Sequence, residues 1–215
     1  MQSTPRPART RKTPDGRRVE IAAAARAIAL RQGLDAVTQR AVATEAAMTP
    51  ALVAHYVASM DALVAETFAG IVADELTELR ELLGEEGDPQ RKLSLLLGTL
   101  LDGSRHDVTS VWVHAWALGR RNDALAAAVR EQMDDWQRMI RDVIAEGTAA
   151  GVFRCDDPGD TAWHVLAMID GLNAHALVHW GAPAVQVSLA TQAVEAMLGL
   201  RPGSLAAPTA GAAGR

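Results

Sequence analysis

Cysteine and long apolar runs are scarce in this sequence, and each shortage excludes a class of protein. The single cysteine, Cys155, excludes an internal disulfide and is typical of a protein from a reducing compartment. No uninterrupted apolar stretch is long enough to span a bilayer, and the charged N-terminal residues are not followed by an apolar signal segment. We therefore expect a soluble, cytoplasmic protein with no membrane partner.

Strand patterns and catalytic motifs are also missing. No run of alternating β-branched residues bounded by turns occurs, whereas helix caps followed by apolar residues at helical spacing recur along the chain. The sequence therefore predicts an all-α fold. It contains no G-x-S-x-G, no Gly-rich phosphate loop after a strand and no H-E-x-x-H pair, so we expect neither an enzyme nor a bound cofactor.

The net charge of −5 is distributed unevenly along the chain. Residues 1–60 contain nine Arg or Lys and four acids, so this end carries +5 and the remainder carries −10. Such asymmetry indicates a basic end that faces nucleic acid and an acidic body. Residues 1–12, rich in Pro and Arg, are predicted to be a disordered basic arm that either follows DNA or only increases solubility.

Two helix starts lie close together after this basic end. Thr38 can cap a helix over residues 39–47, and Thr49, followed by Pro50, can cap a second helix over residues 50–57. Because only Met48 lies between the first helix and the cap of the second, the two helices must cross at a steep angle. This arrangement is the helix-turn-helix geometry, although an ordinary helical hairpin has the same spacing.

A longer helix is predicted before this pair, over residues 14–32. Its apolar face is expected to consist of Val19, Ala22, Ala23, Ile28 and Leu30. Together the three helices form a predicted helix-turn-helix DNA-binding domain over residues 13–58.

The helix that begins at Pro50 has the properties of a recognition helix. It carries few charges, and the small residues on its outer face would let its backbone approach base edges, while hydroxyls and a His ring can donate to phosphates. The residues predicted to contact DNA are Thr49, Pro50, Ala51, His55 and Tyr56. The residues predicted to position phosphates are Arg17, Arg18, Thr38 and Gln39.

The run from Gly33 to Val64 resembles the DNA-binding domain of TetR-type transcriptional regulators, most closely the BetI-like branch. In that branch the recognition helix commonly reads like S-P-A-L-V-x-H-Y-F-G-S-K-x-x-L. The chain matches this pattern at Thr49, Pro50, Ala51, Leu52, Val53, His55, Tyr56, Ser59 and Leu63. It departs at Val57, Ala58 and Met60, and Met60 stands where the family has a lysine that contacts a phosphate.

The resemblance continues through the body of the chain and covers most of residues 15–200. Segments such as RRNDALAAAVREQMDDWQRMI and LAMIDGLNAHAL look like the BetI-type C-terminal domain. The resemblance implies a nine-helix TetR-like fold with a ligand-binding and dimerisation domain over residues 59–200. It also implies a homodimer formed by the last two helices, which represses at a palindromic operator until a small-molecule effector binds. Residues 201–215, rich in Pro, Gly and Ala, are predicted to be a flexible tail.

All five tryptophans fall in the predicted body, where they either fill the core or line a ligand pocket. Trp112 and Trp116 are four residues apart on one helix and, with Trp136 on the next helix, can face a pocket between helices. An organic cation would fit there if an acid also faces inward, and a neutral aromatic or lipid-like effector would fit without one. The candidate acids are Asp102, Asp134 and Asp135. The candidate ligand-binding residues are Trp112, Trp116, Met133, Trp136, Trp163 and Met168.

Two further features are interpreted as structural. His175 and His179 are four residues apart, but no third ligand of matching spacing accompanies them, so we predict no metal site. The Asp170-Gly171 pair interrupts an apolar helix face, which favours close approach of another helix. The alternative to a regulator is an all-α small-molecule-binding protein or enzyme whose helix-turn-helix is only structural.

Overall fold

The computed structural model describes residues 13–205, and this part of the chain is helical. It contains nine α-helices and no strand, so the predicted all-α class is confirmed. The helices are α1 Pro14–Gln32, α2 Gln39–Glu45, α3 Pro50–Tyr56, α4 Met60–Gly84, α5 Pro89–Leu101, α6 His106–Gly119, α7 Asp123–Ala149, α8 Pro158–Leu177 and α9 Pro183–Met197. A short 3-10 turn, Leu34–Ala36, joins α1 to α2. The predicted basic arm, residues 1–12, lies outside the described residues.

Side-chain caps explain where most of these helices begin. An oxygen of the residue before the helix accepts a backbone N–H of the first turn, which would otherwise lack a partner. The capping residues are Thr13, Thr38, Thr49, Ser59, Asp88, Asn122 and Asp157. Because these caps are local, the sequence predicts the corresponding helix starts correctly.

Helices α5 and α8 end several residues before their sequence pattern predicts. The pattern predicts a helix over residues 89–105, but α5 stops at Leu101 because Asp102 accepts the backbone N–H of Ser104 at 2.7 Å and Gly103 adopts a positive φ of 79°. The pattern also predicts a helix over residues 158–180, but α8 stops at Leu177 and His179 turns the chain with a φ of 56°.

The buried face of α1 also differs from the prediction. Val19 is 68% exposed, and Ala22 and Ala23 are exposed as well. The buried residues are instead Ile21, Ala24, Ala25, Ile28 and Ala29. They recur at the three- and four-residue spacing of one helix face, which is rotated from the predicted face.

The nine helices pack around α4 and α7. The three N-terminal helices, α1 to α3, pack on one another, and α1 packs on α4, which continues into the body and lies along α7. Helix α6 packs against both α7 in the body and α1 in the N-terminal part. The body therefore contacts the helix-turn-helix through more than the connecting helix.

No single helix among residues 13–205 is both long and apolar enough to cross a bilayer. Only α3 and α4 taken together reach that length and composition, and they are bent by 73° relative to each other.

The residues after α9 form a clasp between α5 and α9, so the predicted flexible tail is wrong for residues 201–205. Glu195 of α9, only 3% exposed, accepts the backbone N–H groups of Gly203 at 2.9 Å and Leu205 at 2.7 Å. Ser94 of α5 donates its hydroxyl to the Leu205 carbonyl at 3.0 Å, and the Leu205 side chain is buried. Residues 206–215 lie outside the described residues.

Replacing Glu195 by alanine is expected to release this clasp. Two backbone N–H groups, of which that of Leu205 is buried, would lose a charged acceptor, which predicts a loss of roughly 2–3 kcal/mol in the free energy of unfolding. Urea denaturation measures the loss, and Gln192→Ala, at an exposed position on the same helix, is the matched control. Equal effects of the two substitutions would contradict the role of Glu195.

Candidate functional site

The helix-turn-helix is held together by short-range hydrogen bonds. Between α2 and α3 the chain turns at Ala47, which has a φ of 51°, and the N–H of Met48 donates to the Ala43 carbonyl at 2.8 Å. Gln39 Nε2 donates to the Pro50 carbonyl at 2.7 Å, which joins the start of α2 to the start of α3. Gln39 therefore braces the two helices, in addition to its predicted position near phosphates.

The outer face of α3 presents small and polar groups to solvent, as the sequence predicts. Thr49, Pro50, Ala51 and His55 are exposed, whereas Val53 on the opposite side is fully buried. The residues predicted to contact DNA therefore lie on one accessible surface, with one exception.

The exception is Tyr56, which is half-buried and packs against the hydrophobic core. Its ring meets the His55 ring edge to face, with centroids 5.0 Å apart. Truncation of Tyr56 would therefore remove packing as well as a hydroxyl, so it cannot test DNA contact cleanly.

The two arginines predicted to position phosphates are paired with acids on their own helix. Arg18 bonds Asp15 at 3.0 Å and is exposed, while Arg17 bonds Glu20 at 3.0 Å and is half-buried. The exposed Arg18–Asp15 pair contributes little stability, so a phosphate can replace Asp15 at little cost. Thr38 is exposed, and its hydroxyl caps α2.

A cavity of about 50 Å³ lies in the body between helices α4 to α8. The aromatic part of its wall consists of Trp112 from α6 and Trp136 from α7, and Met133 is also in the wall. Trp112 is fixed by edge-on contact with Phe68 of α4, with ring centroids 4.9 Å apart. Three of the six candidate ligand-binding residues therefore line one cavity.

The other three candidates do not line this cavity. Trp116 packs beside Trp112 with ring centroids 5.8 Å apart, and Met168 packs against the core. Trp163 is 60% exposed, because α8 turns Ala162, Leu166 and Ile169 inward and leaves Trp163 on the opposite face.

The acids of the cavity are not the ones that the sequence pattern suggests. Asp102 and Asp134 are exposed, and Asp135 is paired with Arg138, so none of these three lines the wall. The acids in the wall are Glu75 of α4 and Asp170 of α8.

These two acids differ in their partners. Glu75 is buried and bonds Arg105 at 3.2 Å, so burial raises its pKa while the arginine opposes that rise. Asp170 has no hydrogen-bond or ion-pair partner among the described residues, and burial raises its pKa to about 6. At neutral pH the cavity therefore contains one balanced ion pair and one uncompensated carboxylate.

Helix α6 joins this cavity to the helix-turn-helix. The His114 ring lies directly against Gly33, so close that a Cβ on Gly33 would be 2.1 Å from the ring. His114 Nδ1 is 3.4 Å from an Asp35 carboxylate oxygen, but the two are not aligned as a hydrogen bond. Beyond the end of α6, Asn122 Nδ2 donates to the Asp61 carbonyl at 3.1 Å, at the start of α4.

Two family models match the chain, one for each part of the molecule. Residues 21–67 match the model described as bacterial regulatory proteins, tetR family. Residues 89–199, more than half of the chain, match the model described as BetI-type transcriptional repressor, C-terminal. The chain belongs to the TetR family. It is a transcriptional regulator of the BetI-like branch, as the sequence resemblance predicts, and neither model describes a catalytic domain.

Solved TetR-type structures share the nine-helix fold. A regulator from Saccharomonospora viridis in complex with choline is 23% identical, with a TM-score of 0.76 over 86% of this chain and 98% of that chain. A TetR regulator from Haloarcula marismortui is 22% identical, with a TM-score of 0.71 over 86% and 99%. FadR from Bacillus subtilis in complex with stearoyl-CoA is 15% identical, with a TM-score of 0.66 over 84% and 97%. Comparison with curated proteins gives no match.

Proposed function

We propose that this TetR-family regulator is a homodimeric repressor whose operator binding is released by a small organic cation. The observation that carries the effector class is the uncompensated carboxylate of Asp170 in a cavity walled by two tryptophans. As an operator-binding protein it would act in the cytoplasm. Three parts of the molecule support the proposal: the α3 surface, the last two helices and the cavity.

The exposed face of α3 supports binding in a major groove. Ala51 and His55 lie one helical turn apart, with no bulky side chain between the α3 backbone and an approaching base edge. Two such helices in a symmetric dimer would read half-sites about 34 Å apart, or a multiple of that distance, which matches a palindromic operator.

Replacing Ala51 by glutamate is expected to weaken DNA binding at least about ten-fold without loss of folding. The new carboxylate would face bases and phosphates, and one poor contact costs about 1–3 kcal/mol. Fluorescence anisotropy with a random duplex measures the effect, and Ala127→Glu, on the exposed side of α7, is the control of equal charge. Wild-type affinity should also fall steeply with added salt, because phosphate contacts release counterions.

If Ala51→Glu and Ala127→Glu bind duplex equally, α3 is not the DNA-contacting element. A salt-independent wild-type affinity would contradict DNA recognition through phosphates in the same experiment.

The last two helices expose apolar side chains that support a dimer interface. Val178 and Trp180 follow α8, and Val185 and Leu189 lie on α9, and all four are exposed in the single chain. Contiguous apolar patches of this kind on a soluble protein mark association surfaces. Trp163, on the outer face of α8, is exposed in the same way.

Replacing Leu189 by glutamate is expected to convert the dimer to a monomer. Sedimentation of the wild type should give about twice the chain mass of 22.8 kDa, and the variant should give the single mass. Val19→Glu is the matched control, because Val19 is also an exposed apolar residue but lies on α1 at the DNA-binding end. A dimeric Leu189→Glu variant would place the interface elsewhere.

The cavity supports a cation rather than a long acyl group. Its side chains carry one negative charge in excess, because Glu75 and Arg105 compensate each other and Asp170 is left over. A volume of about 50 Å³ corresponds to roughly four water-sized positions, which suits a small head group and not a chain of stearoyl length. Choline is the ligand of the similar Saccharomonospora viridis regulator.

Helix α6 supports a route from effector to DNA. Trp112 of α6 lines the cavity, and His114, two residues later, contacts Gly33 beside the helix-turn-helix. A ligand that shifts α6 would therefore move the N-terminal helices relative to the body, which couples the two binding sites.

A further inference from the structure

The polar groups of the cavity fall into a satisfied set and an unsatisfied set. Arg105 and Glu75 bond each other at 3.2 Å, and the Thr109 hydroxyl donates to the Arg105 carbonyl at 3.0 Å. The unsatisfied set comprises the Asp170 carboxylate, the Asn173 side-chain oxygen and the indole N–H of Trp136, none of which has a partner among residues 13–205. A ligand in the cavity is the natural source of the missing partners.

Two of these three groups are hydrogen-bond acceptors on one helix. Asp170 and Asn173 are three residues apart on α8, so their side chains lie on the same face. Asn173 Nδ2 donates to the Leu100 carbonyl at 3.0 Å, which fixes the amide orientation and leaves Oδ1 as an acceptor. The α8 wall therefore offers a carboxylate and an amide oxygen as acceptors, and the remaining donor of these two residues is the second N–H of Asn173 Nδ2.

The third group is a donor on the neighbouring helix α7. Trp136 of α7 is 4% exposed, and its Nε1 is buried without an acceptor. A buried N–H without a partner is unfavourable, so a ligand oxygen that accepts from it would be selected over an apolar group.

We propose that the effector is a small protonated amine that donates N–H to Asp170, and to Asn173 as well where it has a second N–H, and that carries an oxygen that accepts the Trp136 N–H. The inference rests on the proposed function and narrows its effector from organic cations in general to cations that carry N–H groups. Amino alcohols are the simplest compounds with this pattern of donors and acceptor.

A quaternary ammonium ion satisfies this cavity less well. It supplies the positive charge but no N–H, so its cationic nitrogen can donate to neither acceptor on α8. Its usual partners are several aromatic faces, and only Trp112 and Trp136 among the described lining residues are aromatic. Hydrogen bonds between a charged donor and a carboxylate are about twice as strong as neutral ones, so the N–H adds selectivity.

Calorimetric titration of the full-length dimer at pH 7.5 with three related cations tests the proposal. 2-(Dimethylamino)ethanol has both an N–H and a hydroxyl, choline has the hydroxyl but no N–H, and N,N-dimethylpropylamine has the N–H but no oxygen. We expect the first to bind about ten-fold more tightly than each of the other two. Trp136→Phe keeps an aromatic ring but removes the indole N–H. This variant should lose the preference for 2-(dimethylamino)ethanol over N,N-dimethylpropylamine and keep the preference for 2-(dimethylamino)ethanol over choline.

Each result has a distinct meaning. If none of the three cations binds, the cation-responsive function itself fails. If choline binds as tightly as 2-(dimethylamino)ethanol or more tightly, the proposed function stands and the protonated-amine inference is overturned. If Trp136→Phe retains the preference for the oxygen-bearing amine, the indole is not its partner and that half of the inference is overturned.

Discussion

Replacing Gly33 by alanine is expected to destabilise the protein by about 3 kcal/mol or more. Gly33 has a φ of 95° and a ψ of 165°, a region that only glycine occupies without strain of about 1–3 kcal/mol. The added methyl would also collide with the His114 ring, and overpacking of this kind costs about 1–3 kcal/mol more. For a chain of this length the melting temperature should fall by roughly 6–12 °C, measured by calorimetry.

The structure offers a control that separates the two causes. Gly151 also has a positive φ, 72°, but a Cβ there would meet no atom within 4 Å. Gly151→Ala should therefore show the backbone strain alone, and Gly33→Ala combined with His114→Ala should recover part of the loss. Equal destabilisation by Gly33→Ala and Gly151→Ala would show that His114 does not fill the space above Gly33.

Replacing Asp170 by asparagine is expected to stabilise the empty protein at pH 7.5 and to abolish its response to cations. Burial raises the pKa of Asp170 from 3.8 to about 6, so the folded state holds this proton more tightly than the unfolded state does. The stability contributed by this group is present below about pH 4 and is lost as the pH rises through 6. An uncharged amide removes the cost of roughly 2 kcal/mol at pH 7.5 and changes little at pH 4.

The same substitution removes the counter-charge for the ligand. In the wild type, 2-(dimethylamino)ethanol at about 100 times its Kd should add roughly 2.7 kcal/mol of stability, and the variant should gain almost none. Glu75 and Arg105 also face the cavity, but they compensate each other and do not replace Asp170. Wild-type affinity should weaken below pH 6, where Asp170 becomes protonated.

Asp134→Asn is the matched control for both measurements. Asp134 is an exposed acid on α7, outside the cavity wall, so its loss should change neither the melting temperature nor the cation response. A cation response that survives in Asp170→Asn would remove Asp170 from the site, and an unchanged melting temperature would mean that its charge is well solvated.

Local signals were sufficient to predict where most helices begin and which side of α3 is exposed. Caps such as Thr49 and Asn122 act within one turn of the chain, so their effect can be read from neighbouring residues. The buried face of α1 is harder to predict from the sequence. Four consecutive alanines make several faces of that helix apolar, so the neighbouring helices decide which face is buried. The half-buried position of Tyr56 is likewise set by packing against the core, which its neighbours in the sequence do not reveal.

The cavity could be predicted only in part. Aromatic residues four apart indicated its α6 wall, but the acid that matters comes from α8, and the meeting of five helices cannot be read from any one of them. Asp170 and Asn173 carried a signal that was available: two polar side chains three residues apart on an otherwise apolar face. The clasp after α9 gave no local signal, because Leu205 is held by Glu195 ten residues earlier.

The position of α6 has a consequence for how this lineage can change its chemistry. One face of α6 touches the cavity and another touches Gly33, so under the proposed function a substitution that adapts α6 to a new compound would also change the packing beside the helix-turn-helix. Helix α8, which carries Asp170 and Asn173, packs mainly on α5, α6, α7 and α9. Descendants that respond to new compounds are therefore expected to diverge first in α8.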